Sequence, residues 1–210
     1  MTTFEAFPKI PRLNRECIVT EKLDGTNACI VIEEVYLSIG EAIDASANYV
    51  SRPASEVEGA AFKVYAQSRK RVITPEDDNY GFAAWVRENA FRLALALGVG
   101  RHYGEWWGQG INRGYGLSER RFSLFNVKRW ETMPFPAYGL DNVFCVPVLA
   151  HMPFDTVSIN NVVRRLETHG SYAAPGYMNP EGVIVFHVPA QQLFKVTCKD
   201  DEKPKGSNEN

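Results

Sequence analysis

An α+β domain built mainly from antiparallel sheets with flanking helices is the fold class this sequence predicts, and three observations carry it. Short runs rich in β-branched and aromatic residues recur along the chain without a helix after each one, which argues against a doubly wound parallel sheet. Only two stretches show helical periodicity. Hydrophobic residues make up 45% and charged residues 23% of the 210 positions, the proportions of an ordinary globular chain with enough apolar material for a buried core.

In chain order, residues 17–19 and 28–32 are apolar and β-rich and flank a polar turn centred on Asp24 and Gly25, which reads as strand, tight turn, strand. Residues 40–58 are small, polar and weakly periodic, and a loop or insertion is expected there. A strand follows at 62–68, then a basic run, Arg69-Lys70-Arg71, and the turn-forming stretch TPEDDN. The strongest helix lies in PEDDNYGFAAWVRENAFRLALAL, where Phe82, Trp85, Val86, Ala90, Leu93 and Leu97 recur at helical spacing as a core stripe, and Gly98 and Gly100 end it. Strands are expected at 101–107, 122–127, 182–187 and 193–198, and a second helix near 159–168. Residues 1–200 read as one domain and the polar stretch 201–210, DEKPKGSNEN, as a disordered tail.

A formal charge of -2 excludes a protein that coats nucleic acid by bulk electrostatics, while leaving room for a local basic groove. Cys17, Cys29, Cys145 and Cys198 form no CxxC pair and are too scattered for a disulfide framework, and the four histidines stand in no metal-ligand spacing with them. A reducing, cytoplasmic setting is expected, since the start MTTFEAFPKIPRLN is no secretory leader and no run approaches the roughly 18 apolar residues of a membrane span.

The chemistry concentrates in Glu21-Lys22-Leu23-Asp24-Gly25-Thr26-Asn27, where a lysine at a strand end precedes a glycine turn that lets backbone approach a ligand closely. After this KxDG string come, in order, Ser68-Arg69, Tyr103-Gly104-Glu105-Trp106, Phe122-Ser123-Leu124-Phe125-Asn126-Val127, Glu181-Gly182-Val183-Ile184-Val185 and Phe194-Lys195-Val196-Thr197. In order and strand context this series resembles the motifs of the covalent nucleotidyltransferases, the superfamily of polynucleotide ligases and mRNA capping enzymes, from residue 22 to about 199. Asn27 after the turn and the strings YGEWWG and EGVIV look most like the ATP-dependent RNA ligases.

The resemblance implies the nucleotidyltransferase (adenylation) domain of a ligase that uses ATP and Mg2+ or Mn2+. Lys22 would attack the α phosphate to give a covalent lysine-AMP, which requires an unprotonated amine; AMP would then pass to a 5′-phosphate RNA end, and a 3′-OH would seal the break. By the same resemblance Glu105 contacts the ribose, Phe125 stacks on adenine, Arg69 reaches nucleotide or acceptor strand, Glu181 positions the metal, and Glu21, Asp24, Gly25 and Asn27 complete the nucleotide-binding set. An aromatic face stacks on any base, and magnesium is commonly held by one or two carboxylates plus phosphate oxygens and water.

The last motif departs from the family, which usually carries two lysines one residue apart; here Thr197 takes the second position and the next lysine is Lys199. In a continuous strand Lys195, Thr197 and Lys199 would share a face, with the two lysines about 13 Å apart. Lys195 is therefore expected at the α phosphate and Lys199 at phosphate or polynucleotide. About 11 residues follow Lys199, so no OB-fold domain is expected, which weighs against a DNA ligase or a capping enzyme. A partner protein or domain supplying RNA contacts is then implied. A non-catalytic module that binds a nucleotide or an RNA end is the alternative from another class. The glycine-rich stretch GQGINRGYG lacks a P-loop lysine-serine pair and reads as a surface loop near the pocket.

Overall fold

The computed structural model describes residues 3–37, 44–51 and 60–199. Its strands are β1 (Glu16–Lys22), β2 (Thr26–Tyr36), β3 (Asn48–Ser51), β4 (Ala60–Ser68), β5 (Val72–Ile73), β6 (Gly100–Gly108), β7 (Arg120–Leu124), β8 (Val143–Cys145), β9 (Val148–Pro153), β10 (Gly182–His187) and β11 (Gln192–Thr197). Its α-helices are α1 (Phe82–Leu97), α2 (Val127–Trp130) and α3 (Thr156–His169). The class is α+β with mostly antiparallel sheets; β7 and β8 are the parallel pair. Within the stretch expected to form one domain, the chain divides into two compact units, one of residues 1–22 with 147–210 and one of residues 23–146.

In the second unit the strands run β3-β4-β2-β6-β7-β8, with β5 added beside β4. Alternation along β2 turns Ala28, Ile30 and Ile32 to one face, where they meet Val64 and Ala66 of β4 and the apolar stripe of α1. That stripe is Phe82, Val86, Ala90, Leu93 and Leu97, all at most 4% exposed. Trp85, expected within it, is half-buried at its margin and stacks on Phe82 with ring centroids 5.8 Å apart. α1 starts where it does because the Asp78 carboxylate takes the first free amides, from Ala83 at 2.8 Å and Ala84 at 3.0 Å.

The first unit assembles from two distant segments into an antiparallel sheet of order β11-β10-β1-β9, with α3 on one face. Cys17 and Val19 of β1 and Val183 and Val185 of β10 point to that face and pack on Ile159, Val162, Val163 and Leu166. Asp155 caps the helix by accepting from the Ser158 amide at 2.7 Å.

The sequence missed β3, β5, β8 and β9. Strand β3 lies inside 40–58, read as a loop; residues 40–43 and 52–58 of that stretch, and the expected tail 201–210, lie outside the described residues. Strand β9, VLAHMP, has few fully buried side chains because it is a sheet edge, so it carries no strong alternation. The expected strand 122–127 stops at Leu124, since Asn126 caps α2 through the Arg129 amide. No helix among the described residues is long and apolar enough to cross a membrane.

Leu166, 0% exposed between α3 and its sheet, sets a measurable scale for the first unit. Leu166→Ala is expected to cost about 2–5 kcal/mol through lost burial and an incompletely closed cavity. Urea unfolding should show this as a lower midpoint at unchanged slope.

Candidate active site

In the first unit, β1 places Lys22 opposite Gly182, the first residue of β10, so that Glu181 arrives beside it. Lys22 Nζ lies 2.6 Å from Glu181 Oε2, with the two side chains 20% and 10% exposed. Lys195 stands opposite Ile184, which faces Thr20, so Lys195 and Lys22 project from the same face of the sheet, away from α3. Lys22, Gly182 and Thr197 make one cross-strand row, with about 10 Å between its outer Cα atoms at roughly 4.8 Å per strand. The continuous strand expected through Lys199 stops at Thr197, and the chain bends at Cys198 and Lys199, the Cys198 amide still donating to the Glu181 carbonyl at 3.0 Å. The Thr197 hydroxyl donates to the Lys199 carbonyl at 2.9 Å, and Lys199 Nζ donates to Asn179 Oδ1 at 3.3 Å.

Glu21, expected with the nucleotide-binding residues, alternates to the opposite face from Lys22. Its Oε2 accepts from the amides of Tyr172 at 2.8 Å and Ala173 at 2.9 Å, and only 1% of the residue is exposed. It is a strut for the segment after α3. Burial pushes its carboxyl above the ordinary value of 4.5, opposed by the nearby Ser171 hydroxyl and the two amides.

In the second unit the register sets Asn27 of β2 directly opposite Glu105 of β6, on the sheet face away from α1. Glu105 Oε1 accepts from the Gly25 amide at 3.1 Å. Gly25 is required by the chain itself: a Cβ there would stand 2.4 Å from the Trp106 carbonyl oxygen and 2.7 Å from Trp107 Cβ, so the close approach expected toward a ligand is made to β6. Asp24 is likewise engaged, its carboxylate accepting from Arg113 Nε at 2.8 Å and Asn112 Nδ2 at 3.0 Å. Phe125 follows the last residue of β7 and is 40% exposed, so it is a presented ring and not part of the core. Arg69 is exposed at the bend joining β4 to β5, while Arg71 pairs with Asp77 at 2.6 Å.

Asn112, Arg113 and Tyr115 escaped the sequence reading. The available signal was the glycine spacing of GQGINRGYG, the mark of a backbone held in left-handed conformations. All four cysteines are free thiols, and burial pushes Cys29 and Cys145 up to about 11, which keeps both thiols protonated and unreactive near neutral pH.

Compared with known sequences, residues 15–197 match the RNA ligase family profile, from just before β1 to the end of β11. The chain belongs to the RNA ligase family. Among curated proteins none matches it in sequence. Solved structures of mutants of an RNA ligase from Naegleria gruberi share the fold. One with ATP and Mn is 14% identical at a TM-score of 0.51, over 88% of this chain and 49% of that one. A second, with AMP and Mn, is 15% identical at 0.51, over 88% and 50%. A third, with ATP and Mn, is 15% identical at 0.53, over 89% and 51%. This RNA ligase family member thus spans about half the length of those chains.

The raised carboxyl of Glu21 has a defined consequence for stability. Between 4.5 and its raised folded value the native state holds a proton that the unfolded state has released, so Glu21 makes stability fall as pH rises through that window. In Glu21→Gln that contribution to the slope is expected to vanish, a difference measurable by denaturant unfolding of both proteins at a series of pH values from 4 upward.

Proposed function

We propose that this chain is an ATP-dependent RNA ligase in which Lys22 is the adenylylated nucleophile. The observation that carries this reading is the pairing of the KxDG lysine with Glu181, on the sheet face that also carries Lys195, in a chain matching the RNA ligase family over 15–197. Neighbours of the same fold solved with ATP, AMP and Mn support the choice of nucleotide and divalent ion.

In the first step the unprotonated Lys22 Nζ forms a bond to the α phosphorus of ATP as the bond to the pyrophosphate oxygen breaks; pyrophosphate leaves, and the nitrogen gives up one proton to solvent. The attack uses the lone pair of the amine, which Lys22 Nζ must turn to the α phosphorus. Lys195 supplies positive charge to the α phosphate as negative charge builds on it. Next, an oxygen of a 5′-phosphate RNA end attacks the same phosphorus and releases Lys22. Finally the 3′-OH attacks the activated 5′ phosphorus and AMP leaves.

Glu105 accepts from the ribose hydroxyls, Phe125 stacks on the base, Asn27 lies next to Glu105, and Arg69, exposed and with no hydrogen bond or ion pair among the described residues, contacts the RNA strand. Glu181 fits a divalent ion as a mostly buried carboxylate whose ion-pair partner among the described residues is Lys22. No group of three or more His, Cys, Asp or Glu side chains gathers there or elsewhere in the described residues, so Glu181 would hold the ion together with phosphate oxygens and water. Such an ion supplies charge neutralisation to the phosphates. A further protein or domain contributes RNA contacts under this reading, since the structural neighbours are about twice as long.

Lys22→Ala is expected to abolish transfer of label from α-labelled ATP to protein while leaving the circular dichroism spectrum unchanged. Wild-type labelling in that variant, or wild-type labelling by GTP and not ATP, would overturn the assignment.

Lys195→Ala is expected to slow single-turnover adenylylation about 100-fold or more, the scale of losing a charged donor to a developing oxyanion. Lys199→Ala, whose amine is turned toward Asn179, should alter that step little and should weaken sealing of a pre-adenylylated RNA end. Equal losses in adenylylation would show that Lys199 does the work of the family's second lysine.

A further inference from the structure

A carboxylate that recognises ribose hydroxyls has to keep one orientation, and Glu105 has committed Oε1 to the amide of Gly25. Its direction therefore follows the position of the Asp24–Gly25 turn. That turn is gripped from the loop between β6 and β7. The Tyr115 hydroxyl accepts from the Asp24 amide at 2.8 Å, Arg113 Nε donates to Asp24 Oδ2 at 2.8 Å, and Asn112 Nδ2 donates both to Asp24 Oδ1 at 3.0 Å and to the Gly25 carbonyl at 2.7 Å.

The loop is shaped for this grip. Asn112 and Tyr115 have φ of 44° and 53°, left-handed values that side chains other than glycine seldom adopt and that persist where surrounding contacts over-determine them. Tyr115 is anchored by an edge contact to the Trp107 ring at 4.8 Å and is 3% exposed. The Arg113–Asp24 pair is half-buried, with each side chain 27% exposed, which shields it from the screening that weakens surface pairs.

We infer that Asn112, Arg113 and Tyr115 are positioning residues that hold Glu105 for ribose recognition by way of the Asp24–Gly25 turn. The inference rests on the RNA ligase reading, because the ribose it concerns is that of ATP. Nothing in it requires these three side chains to touch the nucleotide. Ribose selectivity, and not activity alone, is therefore the property they govern.

The test is lysine adenylylation by ATP and by 2′-deoxy- and 3′-deoxy-ATP in the whole chain. Arg113→Ala is expected to raise KM for ATP about tenfold with a smaller change in kcat, and to narrow the preference for ATP over the deoxynucleotides. Arg113→Lys should restore part of it. In a Glu105→Ala background, which loses the preference outright, Arg113→Ala should narrow it no further. Asn112→Ala removes two bonds to the turn and serves as the second variant if Arg113→Ala does not fold. An equal fall in labelling by all three nucleotides, or an unchanged preference in a folded variant, overturns the inference while leaving the ligase reading intact. A wild-type protein labelled by none of them overturns the ligase reading, and the inference with it.

Discussion

The pairing of β1 with β10 is the constraint on which the first unit depends. It joins two segments that lie far apart in the chain, and its register, Lys22 against Gly182, decides which side chains share a face. Side chains alternate with period two, so a slip of one residue would turn Lys22 toward α3 and bring Glu21 to the open face. The slip is opposed by the apolar set of β1: Cys17 and Val19 would leave the core they share with Val183 and Val185, and burial of a side chain such as valine is worth about 1.5–3 kcal/mol. Placement of Lys22 is thus a by-product of core burial, with the 2.6 Å ion pair to Glu181 as its local consequence.

The second unit solves a different problem, that of holding a short turn in a fixed shape. The Asp24–Gly25 turn makes contacts below van der Waals allowance for any side chain larger than glycine and has its polar groups taken up by Glu105, Asn112, Arg113 and Tyr115. Asp24 therefore belongs to the scaffold that shapes the site. Several residues of the KxDG string act on the chain itself: Glu21 holds the segment after α3, Asp24 anchors the loop, and Gly25 permits close approach to β6. Only the lysine among them combines a reactive atom with a paired carboxylate.

The altered last motif gains a structural account from the end of β11. Thr197 occupies the outer position of the row begun by Lys22 and spaced by Gly182, which has no side chain to fill the gap. Beyond Thr197 the Cys198 amide still donates to the Glu181 carbonyl at 3.0 Å, and the chain bends at Cys198 and Lys199, so Lys199 stands past the end of the regular strand. A lysine displaced by two positions is not equivalent to the usual pair, because the displacement crosses a strand end.

How much of this was legible beforehand depended on how local each cause was. The α1 stripe, the strands with buried alternation and the α+β class follow from short-range pattern, since periodicity is written within a few positions. The edge strand β9 and the short β8 were not, because an edge needs no apolar alternation and a three-residue strand has no period to detect. The sequence by itself determined the family and the order in which its motif-like strings follow one another along the chain. Tertiary structure alone decided that Glu181 meets Lys22, that Glu21 and Asp24 turn inward to their own units, that Lys199 Nζ meets Asn179, and that Asn112, Arg113 and Tyr115 grip the turn. Each of those outcomes depends on strand register or on side-chain contacts between residues distant in sequence, and such contacts leave no trace in the local order of amino acids.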